Sequence, residues 1–205
     1  MQLDPGDNRD AVYKLLIGCV VPRPIAWVST VDADGVNNLA PFSFFMGVCN
    51  DPPHIAFSSG PRSGARKDTV RNLVHTGDFV VNVVDDTLAE AMNLTSGEYP
   101  AEIDGCALAN PTVAPGVVVR ARRVVEAPIS LECRVAQIVE VGRGPHQLVI
   151  GKIVYFHIRD DVYDPATGRV DMHRLRPVGR LAGQMYAHVH DIFEEKSHRT
   201  SRRCY

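Results

Sequence analysis

Strand-like patterns of apolar residues outnumber helical ones along this chain. Three early runs rich in β-branched and aromatic residues, 25–31, 36–45 and 54–59, are predicted to be strands. The turn sequence DADG at 32–35 joins the first two as a hairpin. Pro41 lacks the amide proton that a central strand donates, so we expect the second strand at a sheet edge or at a bulge.

Helical periodicity predicts three short helices. The first covers 10–18, where Asp10 is the expected N-cap before an apolar pattern. The second covers 69–77 and has apolar residues at i, i+3 and i+4. The third covers 87–94 and opens with the capping-box pattern T-x-x-E.

Two longer runs, 128–142 and 147–158, predict an antiparallel hairpin joined by the turn sequence RGPH. Alternate residues of the first run are apolar and the residues between them are polar. We therefore expect one face of that strand in the core and the other in solvent. The core face holds Ile129, Leu131, Cys133 and Val135, and the exposed face holds Ser130, Glu132 and Arg134.

Hairpins without regularly alternating long helices favour a closed antiparallel barrel over a doubly wound parallel sheet. The predicted fold class is mainly β with flanking helices. Residues 1–187 suit one domain, and the charged segment 188–205 is expected to form a surface arm.

Composition narrows the classes of protein further. The 205 residues are 45% apolar and 22% charged, and the formal net charge of -2 gives no reason to expect a nucleic-acid partner. No stretch approaches the roughly 18 apolar residues that a membrane helix needs, so we expect no membrane association. The five cysteines include no C-x-x-C pair, which favours free thiols in a reducing cytoplasm over disulfides or a zinc site.

An anion site is the chemistry that the residues themselves favour most. Hydroxyl and cationic side chains cluster where a strand ends and a helix begins, and such groups bind phosphate. The loop GPRSGARK matches neither glycine-rich phosphate motif, so side chains would carry the binding. The alternative is a solvated basic loop whose serines only form turns. The clustered residues are Ser58, Ser59, Arg62, Ser63, Arg66, Lys67 and Thr69.

The sequence N-x-A-P-x-S interrupts the second strand with small residues and a proline. Loss of a ladder donor at Pro41, near Asn38, Ala40 and Ser43, would let a flat ligand lie against the backbone. Trp27, the only tryptophan, lies in the neighbouring strand and is typical of a core residue.

The histidines give weaker evidence of a functional site than the residues of the predicted anion site do. His146, in the turn GRGPH, and His157, near a strand end, are more typical of structural or exposed residues than of catalytic ones. His188 and His190 would lie on the same side of a strand and could both contact a metal. Because no third ligand joins them at a diagnostic spacing, we expect no metal site. A serine hydrolase is disfavoured, since no G-x-S-x-G elbow occurs.

Four segments, in this order, resemble the flavin reductase-like family of FMN-binding split-barrel proteins, including its flavoredoxin-like members. They are PRPIAWVSTVDADGVNNLAPFSFF, DPPHIAFSSG, RKDTVRNLVHTGDFVVNVV and RPVGRLAGQMY. The resemblance extends from about Leu15 to Tyr186. It implies a split β-barrel of antiparallel, Greek-key-like strands and a homodimer with one FMN per subunit at the interface.

The resemblance also implies which residues bind the cofactor. One set would lie along the isoalloxazine ring and the ribityl chain or border the same pocket: Trp27, Ser29, Asn38, Leu39, Ala40, Pro41 and Ser43. A second set would hold the phosphate: Ser58, Ser59, Arg62, Lys67, Asp68 and Thr69.

Three further residues match functional positions of the family. His146 takes the place of a histidine that stands near the nicotinamide in related short-chain flavin reductases, which implies a catalytic role in NAD(P)H binding. The match is partial, because Pro145 replaces the family's acidic residue. His157 and Arg180 match residues of flavoredoxin-like members and are expected near the flavin.

The resemblance implies an FMN-dependent oxidoreductase. NADH or NADPH would reduce the bound FMN, and electrons would pass onward to an acceptor protein or an oxygenase. Two alternatives stay open. One is a flavin-binding electron carrier or flavin store without NAD(P)H activity, and the other is an oxidase of the pyridoxamine phosphate type on the same barrel.

Overall fold

The computed structural model describes residues 2–6, 9–61, 64–97, 107 and 109–195. Arg62 and Ser63 of the predicted anion site, and residues 196–205 of the predicted arm, lie outside the described residues. The helices are α1 (Arg9–Cys19), α2 (Asp68–Thr76), α3 (Ala89–Leu94) and α4 (Met172–Leu175). The strands are β1 (Ala26–Val31), β2 (Asn37–Phe42), β3 (Phe45–Asn50), β4 (Pro53–Ser59), β5 (Asp78–Val83), β6 (Val113–Ala114), β7 (Arg123–Val124), β8 (Ile129–Glu140), β9 (Gln147–Ile158), β10 (Tyr163–Asp164), β11 (Arg169–Val170), β12 (Val178–Arg180) and β13 (Tyr186–His188).

Seven strands form one antiparallel sheet in the order β2-β1-β5-β8-β9-β4-β3. The two edge strands, β2 and β3, are separated in the chain by Ser43 and Phe44 alone, which requires the sheet to curl until its edges approach. The amide of Ser58 in β4 donates to the Phe44 carbonyl at 2.8 Å beside this junction. The predicted mainly β architecture of antiparallel hairpins is confirmed, and Pro41 lies in an edge strand as expected.

The inner core fills the curled sheet with apolar side chains from six of its strands and from α2. Phe57 lies 4.8 Å from Phe42 and 5.7 Å from Phe79, measured between ring centroids. Gly151 in β9 is required by this packing, since a Cβ there would overlap Cζ of Phe79 and lie 2.8 Å from Cε1. The buried members are Ala26, Val28, Phe42, Ile55, Phe57, Leu73, Phe79, Val81, Leu131, Cys133, Val149 and Ile153.

A second core covers the outer face of β1 and β2. Trp27 is fully buried in it, and the indole Nε1 donates to Oγ1 of Thr95 at 2.9 Å, just after α3. Leu39, Met92 and Val178 pack in the same cluster, so this layer joins β2, α3 and β12.

Helix termini follow the sequence signals only in part. Gly77 ends α2 as expected, with φ of 74° and its amide donating to the Leu73 carbonyl at 3.0 Å. Asp10 is not an N-cap, because α1 begins one residue earlier. The described residues contain no helix long and apolar enough to cross a membrane.

The predicted capping box of Thr87 and Glu90 is wrong. Oγ1 of Thr87 donates to Oδ1 of Asp85 at 2.7 Å, and the amide of Thr87 donates to the same oxygen at 3.0 Å. Helix α3 then begins at Ala89 without a side-chain cap. The nearer carboxylate of Asp85 competes successfully for the groups that the box would have used.

The prediction of a solvent-exposed polar face on β8 is also wrong for two of its three residues. Arg134 is exposed, but Ser130 and Glu132 are buried, with 1% and 0% of their surfaces accessible. The segment 117–121 covers this face, and the amides of Val117, Val118 and Val119 donate to the Glu132 carboxylate. Hydrogen bonding compensates the buried charge, which apolar patterning alone does not reveal.

Candidate functional site

A cavity of about 640 Å³ lies where α1, the β2–β3 connection, the residues before α2 and the β12–β13 hairpin meet. Its volume is in the range of small-molecule and cofactor sites. Apolar and aromatic side chains form much of its wall. They include Tyr13, Ile17, Phe44, Met92, Leu181 and Tyr186.

The cavity is electropositive. Arg23, Lys67 and Arg180 line it, together with the hydroxyls of Ser43 and Ser58. None of the described lining residues is acidic. Cations and hydroxyls beside aromatic walls suit a ligand that combines an anionic group with a flat ring system.

Arg23 ties three segments of the cavity wall together. Its Nη1 donates to the carbonyls of Ile17 at 2.7 Å and Val20 at 2.5 Å, and its Nη2 donates to the carbonyl of Leu181 at 2.7 Å. The guanidinium therefore lies at the carbonyl end of α1, where a helix favours a cation. Burial, and then the neighbouring Arg180, lower the pKa of Arg23, but an arginine stays charged at neutral pH.

Arg180 pairs with Arg23 through the backbone, and its side chain is held by contacts within and beside the β12–β13 hairpin. Its amide donates to the Arg23 carbonyl at 2.8 Å, and the Arg23 amide donates back at 3.0 Å. The guanidinium donates to the Gly183 carbonyl and to the Tyr186 hydroxyl, and it lies 4.4 Å from the centroid of the Tyr186 ring. That hydroxyl in turn donates to Oδ1 of Asn93 at 2.9 Å. The predicted residue Arg180 thus presents a fixed positive charge to the cavity.

Part of the predicted phosphate region reaches the cavity. Ser58, Lys67 and the candidate catalytic residue His146 all line it. The His146 ring lies against Gly60, where a Cβ would be 3.3 Å from Cε1 of the imidazole. The pairing of Ser59 with Gln147 brings the end of β4 and the start of β9 together and explains this proximity.

Other residues of the predicted phosphate set have different partners. Ser59 is buried, and its Oγ donates to the Gly60 carbonyl at 3.4 Å. Oγ1 of Thr69 accepts a hydrogen bond from Nδ2 of Asn38 at 2.8 Å. Asp68 forms an ion pair with Arg71 at 2.5 Å. Asn38 and Asp68 line a separate cavity of about 260 Å³ between α2 and the β1–β2 turn.

The C-terminal end of the N-x-A-P-x-S segment lines the main cavity. Pro41 and Ser43 line the main cavity, and Oγ of Ser43 lies 3.4 Å from Nε of Arg23. Leu39 is buried in the outer core, and Ala40 packs against the inner core. A bulky replacement of Ala40 would therefore disturb the barrel itself.

Trp27, Ser29 and His157 do not line the cavity. Trp27 is a core residue, and Oγ of Ser29 donates to the carbonyl of Arg122 beneath the outer layer. Nε2 of His157 lies 2.6 Å from Oε1 of Glu132 on the covered face of β8. Burial raises the pKa of Glu132, but hydrogen bonds from His157 and from backbone amides lower it below the ordinary value. This pair stabilises the covering segment and lies apart from the cavity.

Comparison with known proteins assigns the chain to a family. The model of the flavin reductase like domain matches residues 17–174. The chain belongs to this family. The uncharacterized protein BH2278 of Halalkalibacterium halodurans is 40% identical over 199 residues, which cover 94% of each chain.

Solved structures of related proteins have the same fold. Nitrilotriacetate monooxygenase component B from Bacillus cereus superposes with a TM-score of 0.91 at 35% identity, over 95% of this chain and 98% of that one. The 2-nitrobenzoate 2-nitroreductase NbaA of Pseudomonas fluorescens gives a TM-score of 0.88 at 29% identity, over 96% and 95% of the two chains. The prediction of a split β-barrel of the flavin reductase-like type is confirmed.

Family membership makes this chain a flavin-related oxidoreductase. The cavity described above has the chemistry that a flavin nucleotide needs, because it joins an electropositive lining to apolar and aromatic walls. The sequence indicated Lys67 and Arg180 as residues of the site that this cavity forms, but it did not indicate Arg23, although the pattern P-R-P follows a predicted helix. Its partner Leu181 is 158 residues away in the chain, so local patterns could not indicate the contact.

Proposed function

We propose that this protein is an FMN-dependent flavin reductase that oxidises NADH or NADPH and passes electrons to an acceptor protein or an oxygenase. The electropositive cavity of about 640 Å³, in a chain of the flavin reductase family, is the observation that carries the proposal. Similarity to a component of a monooxygenase supports an onward electron acceptor.

The residues that line the cavity fall into two groups, polar or cationic residues that suit the phosphate and apolar residues that suit the ring system. Lys67 and Ser58 would hold the phosphate of FMN, while Phe44 offers apolar surface to the ring system. When bound, FMN supplies the centre that accepts a hydride. Arg180 presents a fixed guanidinium that stabilises negative charge developing in the cavity during reduction.

His146 is the proposed catalytic residue at the cavity margin. Its ring lies beside Gly60 in the lining of the cavity. There it would contact the nicotinamide donor and orient it. The protein need supply little other acid or base chemistry, because the cofactor carries the redox step.

The first experiment tests whether Lys67 binds the phosphate, by comparing the affinities for FMN and riboflavin. Lys67→Ala should weaken FMN binding by about 10- to 100-fold, since a hydrogen bond to a charged group contributes about 1.5–3 kcal/mol. Riboflavin lacks the phosphate, so its affinity should not change. Lys152→Ala, which removes an exposed lysine of β9, is the matched control. Equal loss of FMN and riboflavin affinity, measured by flavin fluorescence, would contradict the assignment.

The second experiment separates a reductase from the alternatives. Anaerobic mixing of the flavin-loaded protein with NADH or NADPH should bleach the flavin absorbance promptly. His146→Gln should slow this bleaching while FMN affinity stays the same, and His54→Gln, an exchange outside the cavity lining, should have no effect. Absence of bleaching with both nucleotides would favour an electron carrier or flavin store. Steady peroxide release with an amine would favour an oxidase of the pyridoxamine phosphate type.

We also propose that the protein works as a cytoplasmic homodimer with the cavity at the subunit interface. Exposed apolar side chains lie on α1 and on β3, two elements that contribute to the cavity lining or directly follow it in the chain, and such a surface is typical of association. Tyr13 and Leu16 of α1 are 64% and 46% exposed, and Met46 and Val48 of the edge strand β3 are 56% and 45% exposed. Val48→Asp should give a monomer with weakened FMN binding, measured by light scattering and flavin fluorescence. A variant that stays dimeric would contradict this interface.

A further inference from the structure

A cluster of metal-ligating side chains lies at the end of the β12–β13 hairpin, outside the flavin cavity. Asp86 follows β5, His188 is the last residue of β13, and His190 comes two residues later. Nδ1 of His188 lies 2.6 Å from Oδ1 of Asp86, and Nε2 of His190 lies 2.7 Å from Oδ2. The three donor atoms all lie within 4.8 Å of one another.

The backbone explains how residues so distant in the chain meet. Asp85 forms a β-bridge with Pro177, and Val178 pairs with His188 across the hairpin. The H-x-H spacing in extended chain then puts both imidazoles on the same side. Sequence reasoning expected no metal because a third ligand was missing nearby. The fold supplies that ligand from 102 residues before His188.

We propose that Asp86, His188 and His190 bind a divalent transition-metal ion. Two imidazoles and one carboxylate are a donor set for zinc, nickel or copper, whereas calcium and magnesium prefer oxygen ligands alone. The imidazole side chains are 62% and 45% exposed, so an ion can enter from solvent and keep water in its remaining positions.

The surroundings of Asp86 are compatible with this role. Its side chain is 16% exposed, and Nη2 of Arg176 lies 2.7 Å from Oδ2. A guanidinium on one carboxylate oxygen leaves Oδ1 for the metal and fixes the orientation of the group.

A metal at this position would fasten the hairpin that carries part of the cavity wall. Arg180 pairs with Tyr186 in the same two strands in which Val178 pairs with His188. The ion would link β13 to the connection between β5 and α3. Its binding stabilises the folded chain and does not depend on which electron donor the flavin site uses.

The test is a calorimetric titration of the full-length, chelator-treated protein with zinc chloride, repeated with nickel chloride. We expect one equivalent of metal to bind. The double variant His188→Gln/His190→Gln should lose more than about 100-fold in affinity, since even an outer-shell partner contributes about 10- to 100-fold. The control His75→Gln/His173→Gln removes two exposed imidazoles elsewhere and should bind like the unaltered protein.

A thermal melt with and without zinc adds a stability measurement. Zinc should raise the Tm of the unaltered protein and of the control, but not of the His188/His190 double variant. Asp86→Asn is the isosteric alternative if that double variant does not fold, and it should also lose affinity. No binding of one equivalent, undiminished binding in the cluster variants, or equal loss in the control would overturn the proposal.

Discussion

The buried guanidinium of Arg23 allows a quantitative test of how the cavity is held together. Arg23→Met keeps most of the side-chain volume but removes the charge and the three donors at 2.5–2.7 Å. The carbonyls of Ile17, Val20 and Leu181 would each lose a charge-assisted hydrogen bond. An unsatisfied buried acceptor costs about 1–3 kcal/mol.

The lower end of that range applies to Arg23→Met for two physical reasons. Val20 is 51% exposed, so water can reach its carbonyl region, and the change also removes repulsion from Arg180. Three acceptors at about 1 kcal/mol each give an expected loss of about 3 kcal/mol in the free energy of unfolding. Arg66→Met is the matched control, because Arg66 and its partner Glu140 are 48% and 68% exposed. That exposed pair contributes less than about 1 kcal/mol.

Urea unfolding at fixed protein concentration provides the measurement, with fluorescence of the buried Trp27 as the signal. The Arg23→Met variant should unfold at clearly lower urea with an unchanged m-value, and the Arg66→Met variant should nearly match the unaltered protein. A loss below about 1 kcal/mol for Arg23→Met would refute the view that this arginine joins the cavity wall. Equal losses in the two variants would refute it as well.

Three further outcomes follow from the core and its ionisable groups. Gly151→Ala should destabilise the protein by about 1–3 kcal/mol in urea unfolding, because the new Cβ would overlap an aromatic ring, whereas Gly47→Ala meets no atom within 4 Å and should cost much less. The pKa of Glu132 is lowered in the folded protein, so the ionised carboxylate stabilises the fold. The difference in free energy of unfolding between the unaltered protein and Glu132→Gln should be largest above about pH 4.3 and should shrink as the pH falls through the pKa of folded Glu132. A difference independent of pH would contradict this. Burial raises the pKa of the Cys133 thiol, so an aromatic disulfide reagent should modify exposed Cys49 in the native protein and leave Cys133 unmodified until it unfolds.

Most strands of the barrel could be predicted from the sequence because their signals are local, but the predicted second strand, 36–45, ends at Phe42 and the strand β3 was not predicted. Alternating apolar residues, the DADG turn and Gly77 each depend on a few neighbouring residues, and the structure has the corresponding hairpin and helix end. The predicted capping box does not form because the carboxylate of Asp85, a second local signal, accepts hydrogen bonds from the amide and the hydroxyl of Thr87 that the box would have used. Two valid local patterns can thus predict different structures, and spacing alone does not decide between them.

The candidate site was harder to predict, since its contacts join distant parts of the chain. Lys67 was found from the local cluster of hydroxyl and cationic residues, and Arg180 through the resemblance, but the hydrogen bonds of Arg23 and the cluster around Asp86 depend on tertiary packing. The buried position of Glu132 has the same origin, because the covering segment 117–121 makes a polar face part of the interior. The pattern of apolar residues predicts which faces can be buried without a desolvation cost. It does not predict which polar faces are buried with hydrogen bonds that offset that cost.

The bond between Arg23 and the Leu181 carbonyl has a consequence for biosynthesis. It spans 158 residues, and the β12–β13 hairpin that completes the cavity wall follows all seven strands of the large sheet in the chain. Chains are made at about 5–20 residues per second, so the segment from α1 to β5 exists for several seconds without its partner. The cavity is therefore completed only after the β12–β13 hairpin has been translated, and a ligand that needs both walls can be captured only from that point on.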